Sequence, residues 1–301
     1  MEYTADRECA LLAFLFEKMK DRSRTTVKSY LTHRQVSVNG RTATRHDTPL
    51  RAGDRVEITR EHIGPGLHHP LMRIVFEDGH LIVIDKRNGL LSMATDREKE
   101  KTAYHILTEY VRRTDPSGRI FTVHRLDRET SGLMLFVRNE RVKEAFKQDW
   151  KGMVTDRRYI AVVEGRMPRR EGVIDAPLSE NQNYKVYVDR SGAGRESVTR
   201  YRVLREGGQR SLVELKLDTG RKNQIRAHLE YIGCPILGDR KYGASADAER
   251  VYLHAFKLAF LHPATGRELS FSTRIPRQFE EAVSGEAKKT APGPKITPQK
   301  F

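Results

Sequence analysis

His124-Arg125-Leu126-Asp127-Arg128-Glu129-Thr130-Ser131-Gly132-Leu133 runs directly into the apolar stretch Leu133 to Val137. A short unbroken apolar run bounded by turn residues reads as a buried strand. That strand therefore begins on a loop holding one carboxylate, Asp127, between the guanidinium groups of Arg125 and Arg128. Adjacent positive charge favours the ionised carboxylate, and a carboxylate so placed suits nucleophilic or electrostatic work on an electron-poor carbon. Read alone, the same residues also describe a charged turn leading into the core, since most charge pairs are solvated surface.

Outward from this stretch, the chain has 301 residues, enough for one large domain, a small one and a substantial buried core. Its hydrophobic fraction of 38% and charged fraction of 32% describe a folded protein with a heavily charged surface. The net charge of +15 suits an acidic polymer as partner, because lysines and arginines that neutralise phosphates release counterions. Cys9 and Cys234 lie far apart with no Cys or His at ligand spacing. Neither a disulfide framework nor a zinc site is expected, and reduced thiols fit a cytoplasmic protein. His68-His69 sits in a Gly/Pro-rich stretch and reads as linker. The apolar run Cys9 to Phe16 is too short to span a bilayer. It follows Asp6 and Glu8 where a signal peptide would carry basic residues, so no membrane role is expected.

Residues 1–62 read as a small α+β unit. Leu11, Leu12, Leu15, Phe16 and Met19 recur at helical spacing, and Ser23 can cap a second helix bearing Val27, Tyr30 and Leu31. Val36 and Val38 alternate with polar residues before the tight-turn pair Asn39-Gly40, and Val56 and Ile58 close the unit. Ten Lys/Arg against four Asp/Glu between positions 20 and 60 give this segment an excess of six positive charges. The order Ser-Arg-Thr-Thr-Val-Lys-Ser-Tyr-Leu…Val-Ser-Val-Asn-Gly…Leu-Arg-Ala-Gly-Asp-Arg-Val resembles the S4 RNA-binding domain. The resemblance implies that Arg22, Arg24, Lys28 and Arg34 on the helix pair face structured RNA; a small basic module without a ligand is the plainer alternative.

Residues 63–72 read as a linker rich in Gly and Pro, and 73–284 as the catalytic domain. Two strands, 74–76 and 81–84, are expected to form a hairpin through Glu77-Asp78-Gly79-His80. Helical spacing recurs over 102–113 and 140–150, the second capped by Asn139, and strands are expected at 159–163 and 213–217. Hairpins and scattered helices without regular βαβ alternation make the class α+β with a mixed, mainly antiparallel sheet. The tail 285–301 holds four lysines, one glutamate and three prolines and is expected to be disordered. Gly192-Ala193-Gly194 lacks the context of a nucleotide fingerprint.

A second constellation runs Thr219-Gly220-Arg221-Lys222-Asn223-Gln224-Ile225-Arg226-Ala227-His228-Leu229. Ile225, Leu229 and Ile232 share a helical face, which predicts an amphipathic helix displaying Arg221 and Arg226 near its start.

Taken together, the His124–Leu133 run, this block and Gly233-Cys234-Pro235-Ile236-Leu237-Gly238-Asp239…Tyr242-Gly243 resemble the RluA family of RNA pseudouridine synthases. The resemblance implies that Asp127 is the catalytic residue, that Arg226 forms the ion pair holding it, and that Tyr159 packs on the target base. Arg125 would fill the space left by the flipped uridine, and Arg128, Arg221, Asn223 and Gln224 would contact RNA. Three departures occur: Asn223 stands where the family has His, Arg157 where it commonly has Lys, and Arg87 where it has Pro. Loss of that proline is expected to loosen the loop after Lys86. The chemistry implied is cleavage of the N-glycosidic bond, rotation of uracil and rejoining through carbon, on a base first extruded from its stack. It needs no cofactor, no metal and no obligate protein partner. Large-subunit ribosomal RNA is the first expected target and transfer RNA the second.

Two other classes compete. A glycoside hydrolase also places an aspartate at an anomeric carbon, but it needs a second acidic group placed as acid or base, and these blocks offer no obvious partner. A non-catalytic S4-type RNA-binding protein would have no use for Asp127.

Overall fold

The computed structural model describes residues 1–284 except 21, 33–34, 59–66, 68, 97, 114 and 247. Half of the expected linker, the tail 285–301 and the candidate RNA contact Arg34 lie outside the described residues. The chain forms two compact units. Met1–Asp156 and Lys257–Thr273 make the first, Arg157–Phe256 and the segment from Arg274 the second.

In the first unit, residues before 59 build helices Leu11–Lys18 and Arg24–Thr32 and a four-stranded antiparallel sheet. Its order is Glu2–Thr4, Arg55–Ile58, Val36–Val38, Arg41–Thr42. Leu11, Phe14, Leu15, Val27, Leu31, Val36, Leu50, Val56 and Ile58 pack into one apolar cluster. Ser23 Oγ accepts from Thr26 N at 3.1 Å, the expected cap. Asn39 and Gly40 sit at φ 51° and 75° between the paired Val38 and Arg41, the left-handed pair that a two-residue hairpin turn requires.

The rest of this unit carries the hairpin Met72–Glu77/Leu81–Lys86, with Asp78 Oδ1 accepting from His80 N and Leu81 N at 2.7 Å. Leu81–Lys86 pairs antiparallel with Ser131–Val137, all seven of whose residues are buried. Leu81, Val83, Leu133, Leu135, Val137, Phe146 and Phe260 form the core beneath. Helices Ala103–Arg112 and Glu140–Gln148 start on Thr102 and Asn139, whose side chains accept from His105 N and Val142 N.

The second unit's sheet runs Glu171–Asp175, Val198–Gly207, Arg210–Leu217, Asp156–Glu164, each pair antiparallel. Helix Arg277–Ser284 buries Phe279 and Val283 against Ile160, Val162 and Leu212. A side chain at Gly207 would place its Cβ 2.1 Å from Val283 O, so only glycine lets that helix approach. Every strand pair named above is antiparallel, and the isolated bridge Leu91–Thr102 is parallel, so the α+β expectation holds. No helix among the described residues is long and apolar enough to cross a membrane.

Candidate active site

Asp127 is half-buried on a loop fixed largely through its backbone. Leu126 inserts as a 3%-exposed anchor. Ser92 Oγ donates to Leu126 O at 2.6 Å and accepts from Leu126 N at 3.1 Å, clamping both of its main-chain groups. Thr130 N donates to Asp127 O at 3.1 Å and closes the turn. Lys86, fully buried, brings its ammonium to Leu90 O at 2.9 Å, to Arg87 O and Asp127 O at 3.2 Å, and to Arg128 O at 3.5 Å. A buried charge is tolerated only when its hydrogen bonds are made, so the loop and the lysine depend on each other. Gly89, in the left-handed region at φ 89°, donates to Arg128 O at 2.7 Å, and Arg128 Nε returns a bond to Gly89 O at 3.2 Å. His124 Nε2 accepts from Leu135 N at 2.9 Å, and its ring lies 5.4 Å from that of Trp150. Arg125 and Arg128 are exposed beside Asp127.

Arg87 corrects the expectation of a loosened loop. Its N–H donates to Leu71 O at 2.8 Å, a bond proline cannot make. The departure thus exchanges one restraint on the loop for another.

In the second unit, helix Gln224–Tyr231 differs from the amphipathic expectation: all six residues from Gln224 to Leu229 are buried. Its polar side chains are satisfied internally. Gln224 Oε1 accepts from Thr219 Oγ1 at 2.8 Å and Arg221 N at 2.9 Å, while Nε2 donates to Val198 O and Thr199 Oγ1 at 3.0 Å. A primary amide has two donors and two lone pairs, so Gln224 has no capacity left. At 2% exposure it holds the frame of the site, which corrects its assignment as an RNA contact.

Arg226 is likewise buried rather than displayed: Nε and Nη2 fork onto Asp239 Oδ2 and Oδ1 at 2.6 and 2.8 Å. Its guanidinium also lies 4.8 Å from the ring centre of Tyr242. Asn223 occupies the left-handed region at φ 50° and donates from Nδ2 to Tyr242 Oη at 3.0 Å. Asparagine and histidine both enter that region more readily than most residues, so the departure from His keeps the backbone conformation available. Arg157 Nη2 donates to Thr219 O at 3.1 Å, so the second departure braces the turn before this helix. Tyr159 is 6% exposed in strand Asp156–Glu164, opposite Leu215. Arg221 stays exposed, its Nε on Glu196 O at 3.2 Å.

The candidates therefore fall into three groups. Arg125, Asp127 and Arg128 share one loop of the first unit; Tyr159, Arg221, Asn223, Gln224 and Arg226 belong to the second. Arg22, between the two N-terminal helices, and Arg24 and Lys28, on the second of them, are exposed. Sequence reasoning gave no role to Lys86, Ser92, Asp239 or Tyr242. Asp239 and Tyr242 lie within the Gly233–Gly243 motif block and Lys86 directly precedes the departure at Arg87, whereas Ser92 acts on the backbone of Leu126, distant in sequence, and leaves no local pattern.

His228 is sealed in the same frame, with Nε2 on Ala176 O and Nδ1 on Thr199 Oγ1, both at 2.9 Å. The carbonyl needs a donor, which places a proton on Nε2. Burial, the largest cause, holds its pKa below the usual histidine value, against the opposing pull of the Ala176 carbonyl and Asp175. As pH falls through about 6.5 the unfolded chain binds a proton there that the folded chain refuses, so stability falls on acidification. His228→Asn is expected to lose less Tm than wild type between about pH 7 and 5. Equal slopes in the two proteins would show that His228 carries none of that linkage.

Residues 80–231 match the protein family described as RNA pseudouridylate synthase. The chain is 32% identical over 280 residues to the RNA pseudouridine synthase YlyB of Bacillus subtilis, covering 90% of this chain and 91% of that one. It is 31% identical over 284 residues to ribosomal large subunit pseudouridine synthase D of Vibrio cholerae, covering 88% and 87%. Among solved structures it resembles human RNA pseudouridylate synthase domain containing 4, with TM-score 0.58 and 25% identity over 69% of this chain and 90% of that one.

Proposed function

Because the chain belongs to the RluA family of RNA pseudouridine synthases, we propose that it isomerises uridine in large-subunit ribosomal RNA with Asp127 as the reacting carboxylate. The reaction conserves every atom. The C1′–N1 bond breaks, uracil turns, C1′ bonds to C5, and the proton lost from C5 is balanced by one gained at N1. The observation that carries the reading is the loop around Asp127, pinned by Lys86 and Ser92 through main-chain atoms, so that these bonds do not occupy the carboxylate. Such fixed geometry is what an effective positioned group requires. Tyr159 and Arg226 complete the catalytic set in this reading, Arg125 fills the space left by the flipped uridine, Arg128 contacts the RNA, and the work is done in the cytoplasm. The ribosomal target rests on the likeness to the Vibrio cholerae enzyme. Mapping pseudouridine in RNA from a deletion strain tests it: a ribosomal uridine left unmodified supports the proposal, and loss confined to transfer RNA overturns the target.

Residues 1–62 act in this reading as an S4-like RNA-binding domain, a role supported by the excess of six positive charges between positions 20 and 60. The side chains of Arg22, Arg24 and Lys28 are exposed and none belongs to the buried apolar cluster, although the Arg24 guanidinium rests 5.6 Å from the ring centre of Phe16 at its edge. The triple alanine variant is expected to bind RNA more weakly. Its slope of log affinity against log salt should be shallower by roughly 0.7 to 0.9 for each phosphate it no longer neutralises. An unchanged slope would mean that this face does not meet RNA.

A further inference from the structure

The hairpin formed by Leu178–Glu180 and Val186–Val188 turns through Asn181 to Lys185, and Tyr184 stands in it at φ 56°. Bulky L-residues rarely enter that left-handed region. The turn itself is well made: Asn181 Oδ1 accepts from Asn183 N and Lys185 N at 3.0 Å, and Tyr184 N donates to Asn181 O at 2.9 Å. Burial does not explain the residue, because Tyr184 is 71% exposed, more than any other large apolar side chain among the described residues.

Cations surround it. Lys222 Nζ lies 5.3 Å from the Tyr184 ring centre and pairs with Glu180, and Lys241 Nζ donates to Tyr184 O at 3.1 Å. Lys185 pairs with Glu230 at 2.7 Å and lies 5.3 Å from the ring centre of Tyr242. Three lysines against two glutamates leave the tip positive, and exposed Arg221 adds to it. The hairpin is also tied to the motif helix. Val186 N donates to Tyr242 Oη at 3.2 Å, the hydroxyl that Asn223 also reaches and whose ring carries Arg226.

We propose that Tyr184 is a stacking platform for an unpaired base of the substrate RNA, with Lys222 and Lys241 drawing in the adjoining phosphates. This rests on the RNA pseudouridine synthase reading and extends it to substrate selection. An exposed aromatic ring stacks any base, and a strained backbone conformation kept in a well-bonded turn points to use rather than accident. The chemistry favours single-stranded RNA, because a paired base has no free face to offer.

The test uses full-length protein and total RNA from a strain lacking it, with pseudouridine formation followed across RNA concentrations. Tyr184→Ala and Tyr184→Gly are expected to raise the RNA concentration for half-maximal rate by about 5- to 150-fold. The rate at saturation should change much less. Tyr184→Phe and Tyr184→Trp should retain wild-type half-saturation, and the indole of Tyr184→Trp should be quenched by RNA beyond the response of Trp150 in wild type. Tyr184→Gly suits the left-handed turn, so it should melt no lower than wild type and separate loss of stacking from loss of fold. Wild-type half-saturation in the alanine variant, failure of Phe to rescue, or a silent indole would overturn the proposal. A wild-type protein that forms no pseudouridine in that RNA would overturn the parent reading instead.

Discussion

Asp127→Asn is expected to abolish pseudouridine formation while the protein folds and binds RNA as before. The change is nearly isosteric, and the bonds that hold the loop reach main-chain atoms it does not alter: Lys86 Nζ and Thr130 N both donate to Asp127 O. What it removes is the negative charge and the nucleophilic oxygen. Loss of a positioned acid–base or nucleophilic group costs on the order of 10²- to 10⁴-fold, and Asp127 falls at the upper end because no other carboxylate lies in its motif except Glu129. RNA affinity should hold or tighten slightly, since a charge that repels phosphate is gone. Single-turnover assays with mass detection of pseudouridine measure the first effect, and filter binding the second. Near-normal turnover would show that Asp127 is not the reacting group.

Arg226→Ala is expected to damage both stability and activity, and more severely than Arg226→Lys. Its partner Asp239 is 1% exposed, so removing the guanidinium leaves a carboxylate buried without its fork. Breaking a buried pair on one side costs about 3–5 kcal/mol. Lysine restores the charge but not the two parallel bonds and should recover only part of it. Asp239→Asn should destabilise as well, and the double variant Arg226→Ala/Asp239→Ala should lose less than the sum of the single losses. Urea unfolding of these variants reads this directly. Additive losses would show that the two side chains do not work as a pair.

The core of the fold was legible wherever a local pattern specified it. Leu133 to Val137 is an unbroken apolar run and became a fully buried strand. Asn39-Gly40 carries its turn in its own conformational preference, and Asn139 and Ser23 cap the helices that follow them. Helix Gln224–Tyr231 departs from its amphipathic pattern because periodicity assigns polar residues to water. Here Gln224 and His228 find Thr199, Val198 and Ala176 instead, partners set by tertiary structure and invisible in a helical wheel. The same holds for Arg87, whose N–H finds its acceptor in Leu71 O, a partner no local pattern announces. The hairpin tip at Tyr184 gave no signal, since its strands are three residues each and its turn is wholly polar except for the tyrosine. Motif order located the site residues well, but it could not separate those that meet substrate from those that brace them.

Lys86 gives the Asp127 loop a chemical clock. Amine-reactive reagents need a solvent-accessible amine, and Lys86 is fully buried while Lys99 and Lys101 are exposed. Under native conditions the exposed pair labels at once. Lys86 can label only in molecules whose loop has come away from its ammonium, so its rate reports the free energy of that opening, one peptide in a digest at a time. A footprint of this single lysine would therefore measure how often the loop that carries the proposed reacting carboxylate lets go.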